Sequence, residues 1–220
     1  CSICSHGNTY QINFRIDSIV VDNMDRVIAE FYYNIYVNKY QQETKHYISM
    51  FDGISWNNFF SVAYPEYRSM SIMIDSYENN ILWASEFYNL HKFNLSDMTK
   101  NTIEMEKGGG AFMGVDRDTN IWIGCGIQYD RKSFTYYDSS ITGVIGGVSA
   151  VVADRRNVKW FGSHAGITRF DGVSWKTFAP EGWIIDSNPN NEGACVVFDL
   201  EFDNDGILWV GTNRGLFRFN

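Results

Sequence analysis

Five aspartates recur at corresponding places in the chain, Asp22, Asp75, Asp116, Asp154 and Asp203, and a tryptophan follows four of them: Trp83, Trp122, Trp160 and Trp209. Regularly spaced carboxylates could gather a cation, and Asp203-Asn204-Asp205-Gly206 has the composition that opens a calcium loop. Such a loop needs a bidentate glutamate at its twelfth position, and that residue is missing. Asp and Asn at the first turn of a hairpin accept hydrogen bonds from their own backbone. The aspartates are therefore read as turn-formers, and no metal is expected. His6, His46, His91 and His164 are scattered, without the i,i+4 or paired spacing of a metal site. No G-x-S-x-G elbow, phosphate loop or pair of C-x-x-C motifs occurs, and Gly108-Gly109-Gly110 has no helix after it to complete a phosphate cradle. No catalytic residue is assigned and no cofactor is expected. Two facing carboxylates would suffice for glycoside hydrolysis, so a glycosidase-like enzyme stays open as a distant alternative.

The elements that must position these residues are short strands. Aromatic residues make up 16% of the 220 residues, with 19 Gly but only 3 Pro, a mixture suited to strands joined by tight turns. Residues 203–219, DNDGILWVGTNRGLFRF, repeat the spacing of 154–170, DRRNVKWFGSHAGITRF: six residues from Asp to Trp, two more to Gly, then a Gly-apolar-x-x-aromatic strand. Worn copies read DRDTNIWIGCGIQY (116–129) and DSYENNILWASEFYNLHKF (75–93). A fifth, DNMDRVIAE (22–30), has Ile28 in the Trp place, and its continuation YISMFDGISWNNF (47–59) echoes GITRFDGVSWKTF (166–178).

Each unit holds four apolar runs in a period of about 40 residues, the signature of a propeller blade. The expected architecture is all-β: a single five-bladed β-propeller domain over 1–220, with four-stranded blades near 15–62, 66–107, 109–139, 146–179 and 195–220. The last copy stops after its third strand. A strand within 3–12 is expected to supply its fourth, closing the ring and removing exposed sheet edges. The anchor tryptophans are expected to pack between blades rather than to stack on a ligand.

The pattern D-x-x-G-x-L-W-V-G-T-x-x-G-L-x-x-F at Asp203–Phe219 resembles the two-component regulator propeller repeats, found in extracytoplasmic sensor regions of bacterial hybrid histidine kinases. The resemblance implies a propeller that senses small molecules, often carbohydrate fragments, or contacts proteins. It carries over no binding residue, because the motif is architectural. The chain departs from the pattern at Ala29-Glu30, Ala84-Ser85 and Cys125, and those sensors generally carry larger propellers than five repeats make.

A formal charge of −8 repels a phosphate backbone, so nucleic acid is not an expected partner. No run of 18 apolar residues exists to span a bilayer as a helix. Cys1 followed by Ser2 resembles a bacterial lipoprotein after signal cleavage. On that reading Cys1 carries a lipid anchor and the protein is extracytoplasmic, periplasmic or at the cell surface; an N-terminus left by some other cut is the alternative. Cys1, Cys4, Cys125 and Cys195 are too few for a disulfide scaffold and are read as thiols.

In an antiparallel four-stranded blade, the second-to-third turns and the blade-to-blade crossings share one face. The period is lengthened at 31–46, a second-to-third connection, and at 179–194, a crossing, and insertions on one face of a repeat fold mark its binding face. The insertions carry Tyr33, Tyr36 and Trp183, which could stack on a sugar or anchor a protein. Glu86, His164, Asn213 and Arg214 are expected at second-strand ends on the same rim, with Arg68 at a crossing. The expected function is non-catalytic binding or sensing of a carbohydrate or other small ligand by these eight residues. The alternative is a protein–protein interaction module that uses the same face.

Overall fold

The computed structural model describes residues 2–5, 8–38, 41–64, 70–108, 112–124, 126–144, 147–164, 166–178 and 196–219. They form five consecutive antiparallel sheets, each an up-and-down meander. The first holds β1 (Ser2–Ser5), β2 (Asn8–Val21), β3 (Val27–Asn38), β4 (Gln41–Phe51) and β5 (Trp56–Tyr64), and the second β6 (Met70–Ile74), β7 (Ile81–Glu86), β8 (Asn89–Asn94) and β9 (Thr99–Glu104). The third is β10 (Met113–Val115), β11 (Ile121–Ile123), β12 (Ile127–Tyr129) and β13 (Phe134–Tyr136), followed by one helical turn, α1 (Ser139–Thr142). The fourth is β14 (Val148–Ala153), β15 (Lys159–Ser163), β16 (Gly166–Phe170) and β17 (Trp175–Phe178), and the last β18 (Val197–Phe202), β19 (Leu208–Thr212) and β20 (Gly215–Phe219). These sheets are the five blades expected from the repeat. They fall into two compact units, Cys1–Glu104 with two sheets and Met105–Asn220 with three.

The repeat aspartate makes the turn between the first two strands of each blade. Its Oδ1 accepts the amides two and four residues on: Met24 and Arg26 for Asp22, Asp118 and Asn120 for Asp116, Arg156 and Val158 for Asp154, Asp205 and Ile207 for Asp203. Asp75, whose turn is two residues longer, accepts Tyr77 and Glu78. In three blades the second oxygen takes the indole N–H of the anchor tryptophan at 2.8 Å: Asp75 with Trp83, Asp116 with Trp122 and Asp203 with Trp209. Where Ile28 replaces Trp, the Arg26 guanidinium fills the same role on Asp22 at 2.6 Å. In the fourth blade, Trp160 Nε1 is buried with no hydrogen-bond partner among the described residues. Within each unit, asparagine and arginine side chains then tie neighbouring turns together. Arg26 reaches Asn80 Oδ1 and the Leu95 carbonyl, Arg117 reaches the Asp154 carbonyl, and Asn157 reaches Asp118.

Between the two sheets of the first unit, Ile28 and Ile48 pack on Met70, Ile72, Leu82, Ala84 and Phe93. Full burial of each such large side chain contributes about 1.5–3 kcal/mol. In the second unit, Trp122 lies against Val148, Val151, Phe161 and Phe170 of the fourth sheet, and Trp160 against Phe202 and Phe219 of the fifth. These tryptophans are inter-blade packing, as their repeat position predicts. Gly114 is required by that packing, because a Cβ there would collide with the Val151 carbonyl oxygen of the neighbouring sheet.

Two expectations need correction. The strand within 3–12 does not complete the last blade, which has three described strands. β1 instead pairs with the start of β2 (Ser2↔Gln11, Ser5↔Asn8), and β2 runs unbroken to Val21 beside β3. The reason is local: β3 is long enough to offer residues 8–14 a partner close in sequence (Gln11↔Tyr36, Phe14↔Tyr33), which keeps the loop-closure cost low. Second, 31–46 is not a loop. It lengthens β3 and β4, whose register holds from Val27↔Phe51 to Asn38↔Gln41 with one shift between Tyr36 and Asn38.

Candidate functional site

Of the expected site residues, Glu86 has the most developed surroundings. It ends β7 and faces Asn89 across the two-residue turn Phe87-Tyr88. Asn89 Nδ2 donates to Glu86 Oε1 at 2.8 Å, and His91 Nε2 stands 3.3 Å from the same oxygen. The pairing follows from register. His91 lies opposite Ala84, so Glu86 and His91 are diagonal neighbours on one face of the sheet. His91 is fixed from behind by Thr102 Oγ1 at 2.9 Å and by the ring of Phe60 at 5.0 Å. Burial disfavours the Glu86 charge, but hydrogen bonds from His91 and Asn89 outweigh it and hold the carboxyl below its ordinary range.

The first sheet carries a second pair of the same construction. Glu30 on β3 faces Ile48 and Tyr32 faces His46, which makes Glu30 and His46 diagonal neighbours. His46 Nδ1 lies 2.7 Å from Glu30 Oε1, with both side chains wholly inaccessible to solvent. Burial pushes the Glu30 carboxyl up despite the His46 hydrogen bond, and its Oε2 has no hydrogen-bond partner among the described residues. By strand alternation Glu30 shares a face with Ile28, and His46 with Ile48. Glu86 shares one with Ala84, and His91 with Phe93. Those four apolar residues meet in one core cluster, so both Glu–His pairs line the space between the first two sheets. Neither pair forms part of a trio able to hold a metal ion among the described residues. Wholly buried, Glu30 and His46 lie out of a substrate's reach.

The histidine spacing in the sequence hides these pairs, because the contact is cross-strand and depends on register. A usable signal exists: Glu30 and His46 occupy core-facing positions in alternating runs (Ile28-x-Glu30, His46-x-Ile48) where a charge must be paired. The turn beside Glu86 was also missed. Phe87 and Tyr88 are 43% and 48% exposed and stack edge to face at 4.6 Å, presenting an open aromatic pair at the end of the blade.

Tyr33 lies on the other face of the first sheet, in an aromatic cluster with Tyr47 at 5.0 Å and Phe31 at 6.1 Å, and burial raises the pKa of its hydroxyl. Tyr36 pairs with Gln11 and Gln42 on β3; its side chain, Arg68 and the whole of 179–194 with Trp183 lie outside the described residues. In the second unit, His164 follows β15 at the second-to-third turn, its Nδ1 buried with no hydrogen-bond partner among the described residues. Asn213 and Arg214 form the β19–β20 turn, exposed to solvent. Asn213 exchanges hydrogen bonds with Val196 in both directions, backbone amide to carbonyl at 3.1 Å and side-chain oxygen from amide at 3.0 Å, which ties the turn to the start of β18. Within each unit the second-to-third turns thus lie at one end of the sheets, with Glu86 there in the first unit and His164, Asn213 and Arg214 in the second; Tyr33 instead lies within β3, opposite Lys45.

Residues 192–214 match the family model described as two component regulator propeller. No curated protein matches the sequence. Among solved structures, the chain is similar to PorZ, a bacterial surface component of the type-IX secretion system of Porphyromonas gingivalis, with a TM-score of 0.54 and 11% identity over 100% of this chain and 40% of that one. It is also similar to the extracellular domain of BT4673 from B. thetaiotaomicron, solved under the description of a one component system (TM-score 0.40, 12% identity, 93% of this chain, 34% of that one). The same domain under the description of a hybrid two component system gives a TM-score of 0.40 and 8% identity over 95% and 39%. The chain therefore spans between a third and two fifths of the length of these structures. No helix among the described residues is long and apolar enough to cross a membrane.

Proposed function

We propose, for a chain that carries a two component regulator propeller repeat, a non-catalytic role in binding and sensing outside the cytoplasm, with a glycan or other small ligand held at the second-to-third-strand ends of the blades. The observation that carries this reading is the Glu86–Asn89 hairpin. An exposed aromatic pair stands beside an ionised carboxyl and an amide, the combination that binds a sugar by stacking on its apolar face and hydrogen-bonding its hydroxyls. The proposed contacts are Tyr33, Tyr36, Arg68 and Glu86 in the first unit and His164, Trp183, Asn213 and Arg214 in the second. The repeat's usual setting supports an extracytoplasmic site of action.

The test is a thermal-shift and calorimetric screen of an oligosaccharide panel against the wild type, the Tyr33→Ala/Trp183→Ala pair and the Phe87→Ala/Tyr88→Ala pair. A saccharide that binds the wild type is expected to lose about tenfold or more in affinity in the aromatic variants. Unchanged binding in both double variants refutes the site, and a panel with no binder refutes the ligand class.

A further inference from the structure

In the second unit, at the opposite ends of the strands from His164 and Asn213, the Asp-headed turns of the fourth and fifth sheets enclose a groove of about 440 Å³. The turns of the third and fourth sheets contribute Arg117, Arg155 and Arg156 to its lining; the fifth contributes Glu201 and Asp205. Asp154 and Asp203 also line it, but their carboxylates are engaged by their own turn amides, and Asp203 additionally by Trp209.

The other charged groups are only partly engaged. Arg117 commits Nε to the Asp154 carbonyl and Arg155 commits one amino group to the Asn204 carbonyl, leaving the other guanidinium donors of both. Arg156 is 84% exposed and stands 3.9 Å from Asp154. Among the described residues, none of the three forms an ion pair with Glu201 or Asp205, although all five line the same space. Three arginines and the carboxylates of Glu201 and Asp205, lining one groove without pairing with each other, form a site of mixed charge that a ligand of one charge sign would satisfy only in part.

We propose that this groove binds a small zwitterion, an α-amino acid or a short peptide, with its carboxylate at the arginines and its ammonium at Glu201 and Asp205. The guanidinium fork matches a carboxylate bidentately, and the volume suits a ligand of one to three residues. The proposal is independent of the glycan reading, because no residue is shared between the two sites.

Calorimetry on the full chain tests it with alanine, dialanine, N-acetylalanine and alaninamide, at low and at physiological salt. Binding of alanine or dialanine is expected, with the ligand blocked at either end weaker by about tenfold or more, and the free amino acid and dipeptide arms fix the ligand length. Arg156→Ala is expected to weaken dialanine while leaving alaninamide unchanged, and Glu201→Gln to weaken dialanine while leaving N-acetylalanine unchanged. Absence of binding by both zwitterions, equal binding of the blocked forms, or affinity untouched by both substitutions overturns the proposal. The variants' thermal midpoints show that each is folded, and Asp205→Asn is the replacement if Glu201→Gln is not.

Discussion

Asp116 and Asp154 occupy the same place in successive blades and cap their turns in the same way, yet they are expected to differ in what their loss costs. Asp116 is 1% exposed and accepts four hydrogen bonds, from the amides of Asp118 and Asn120, the Asn120 side chain and Trp122 Nε1 at 2.8 Å, and it forms an ion pair with Lys159 Nζ at 3.7 Å. Asp116→Ala therefore strands an indole N–H on a tryptophan that is itself 1% exposed, and leaves a lysine side chain 8% exposed without its carboxylate. An orphaned buried donor costs about 1–3 kcal/mol, and breaking a buried ion pair about 3–5 kcal/mol. These overlap, so a loss of about 4 kcal/mol is expected. Asp154 serves its turn amides but not Trp160, so Asp154→Ala is expected to cost about 1–2 kcal/mol, the range of a lost helix cap. The gap corresponds to a difference in thermal midpoint of about 5–10 °C in a chain of this size. Urea and thermal unfolding followed by tryptophan fluorescence and near-UV circular dichroism measure it. Equal costs for the two variants, within about 0.5 kcal/mol, would refute the claim that the indole and lysine contacts, rather than the turn alone, make Asp116 a keystone. Trp160→Phe supplies the converse check, since it removes a buried N–H that has no partner and should be tolerated better than Trp122→Phe.

The two inter-sheet glutamates should respond to pH in opposite senses. Glu30 titrates above its ordinary 4.5, so its favourable contribution is present below that value and is lost as pH rises through the folded-state pKa; Glu30→Gln should gain on the wild type as pH rises. Glu86 titrates below 4.5, so its contribution is present above that value and is lost as pH falls; Glu86→Gln should be costly at neutral pH and progressively less so in acid. Parallel pH–stability profiles for the two variants would exclude separate roles for the pairs. Asp52, held down to about 2 by the Ser55 and Ile54 amides and the Asn57 side chain, should keep its turn intact well below pH 4, so that Asp52→Asn flattens the acid limb of the unfolding profile. Gly114→Ala should destabilise the second unit by about 2 kcal/mol or more, read from urea unfolding, because the backbone carbonyl of Val151 cannot move aside as a side chain could.

The blades were legible because their determinants are local. An Asp that caps its own amides, a Trp six residues later and a Gly where two sheets approach all leave marks at constant spacing. The lengthened β3–β4 hairpin was misread because the repeat treats any excess over its period as a connection. The run 31–46 has no Gly or Pro and is rich in Tyr, Ile and Val, which favours continued strand. The Glu–His pairs were invisible for a different reason. Their partners lie 16 and 5 residues apart, separations that carry no meaning until register sets Tyr32 opposite His46 and Ala84 opposite His91. The Phe87-Tyr88 turn could have been marked from sequence, as two large aromatics in a position otherwise filled by small or polar residues in the other blades.

The Asp-headed turn also bears on how the chain reaches its fold. In the first, third and fifth blades the capping carboxylate, the residue with positive φ three positions on (Asp25, Thr119 and Gly206) and the donor that locks the second oxygen fall within a few consecutive residues. Contacts that close over so short a stretch form early and without waiting for distant chain, so these turns are expected to form independently of one another. Damage to one turn should then slow the assembly of its own blade while the remaining hairpins still form.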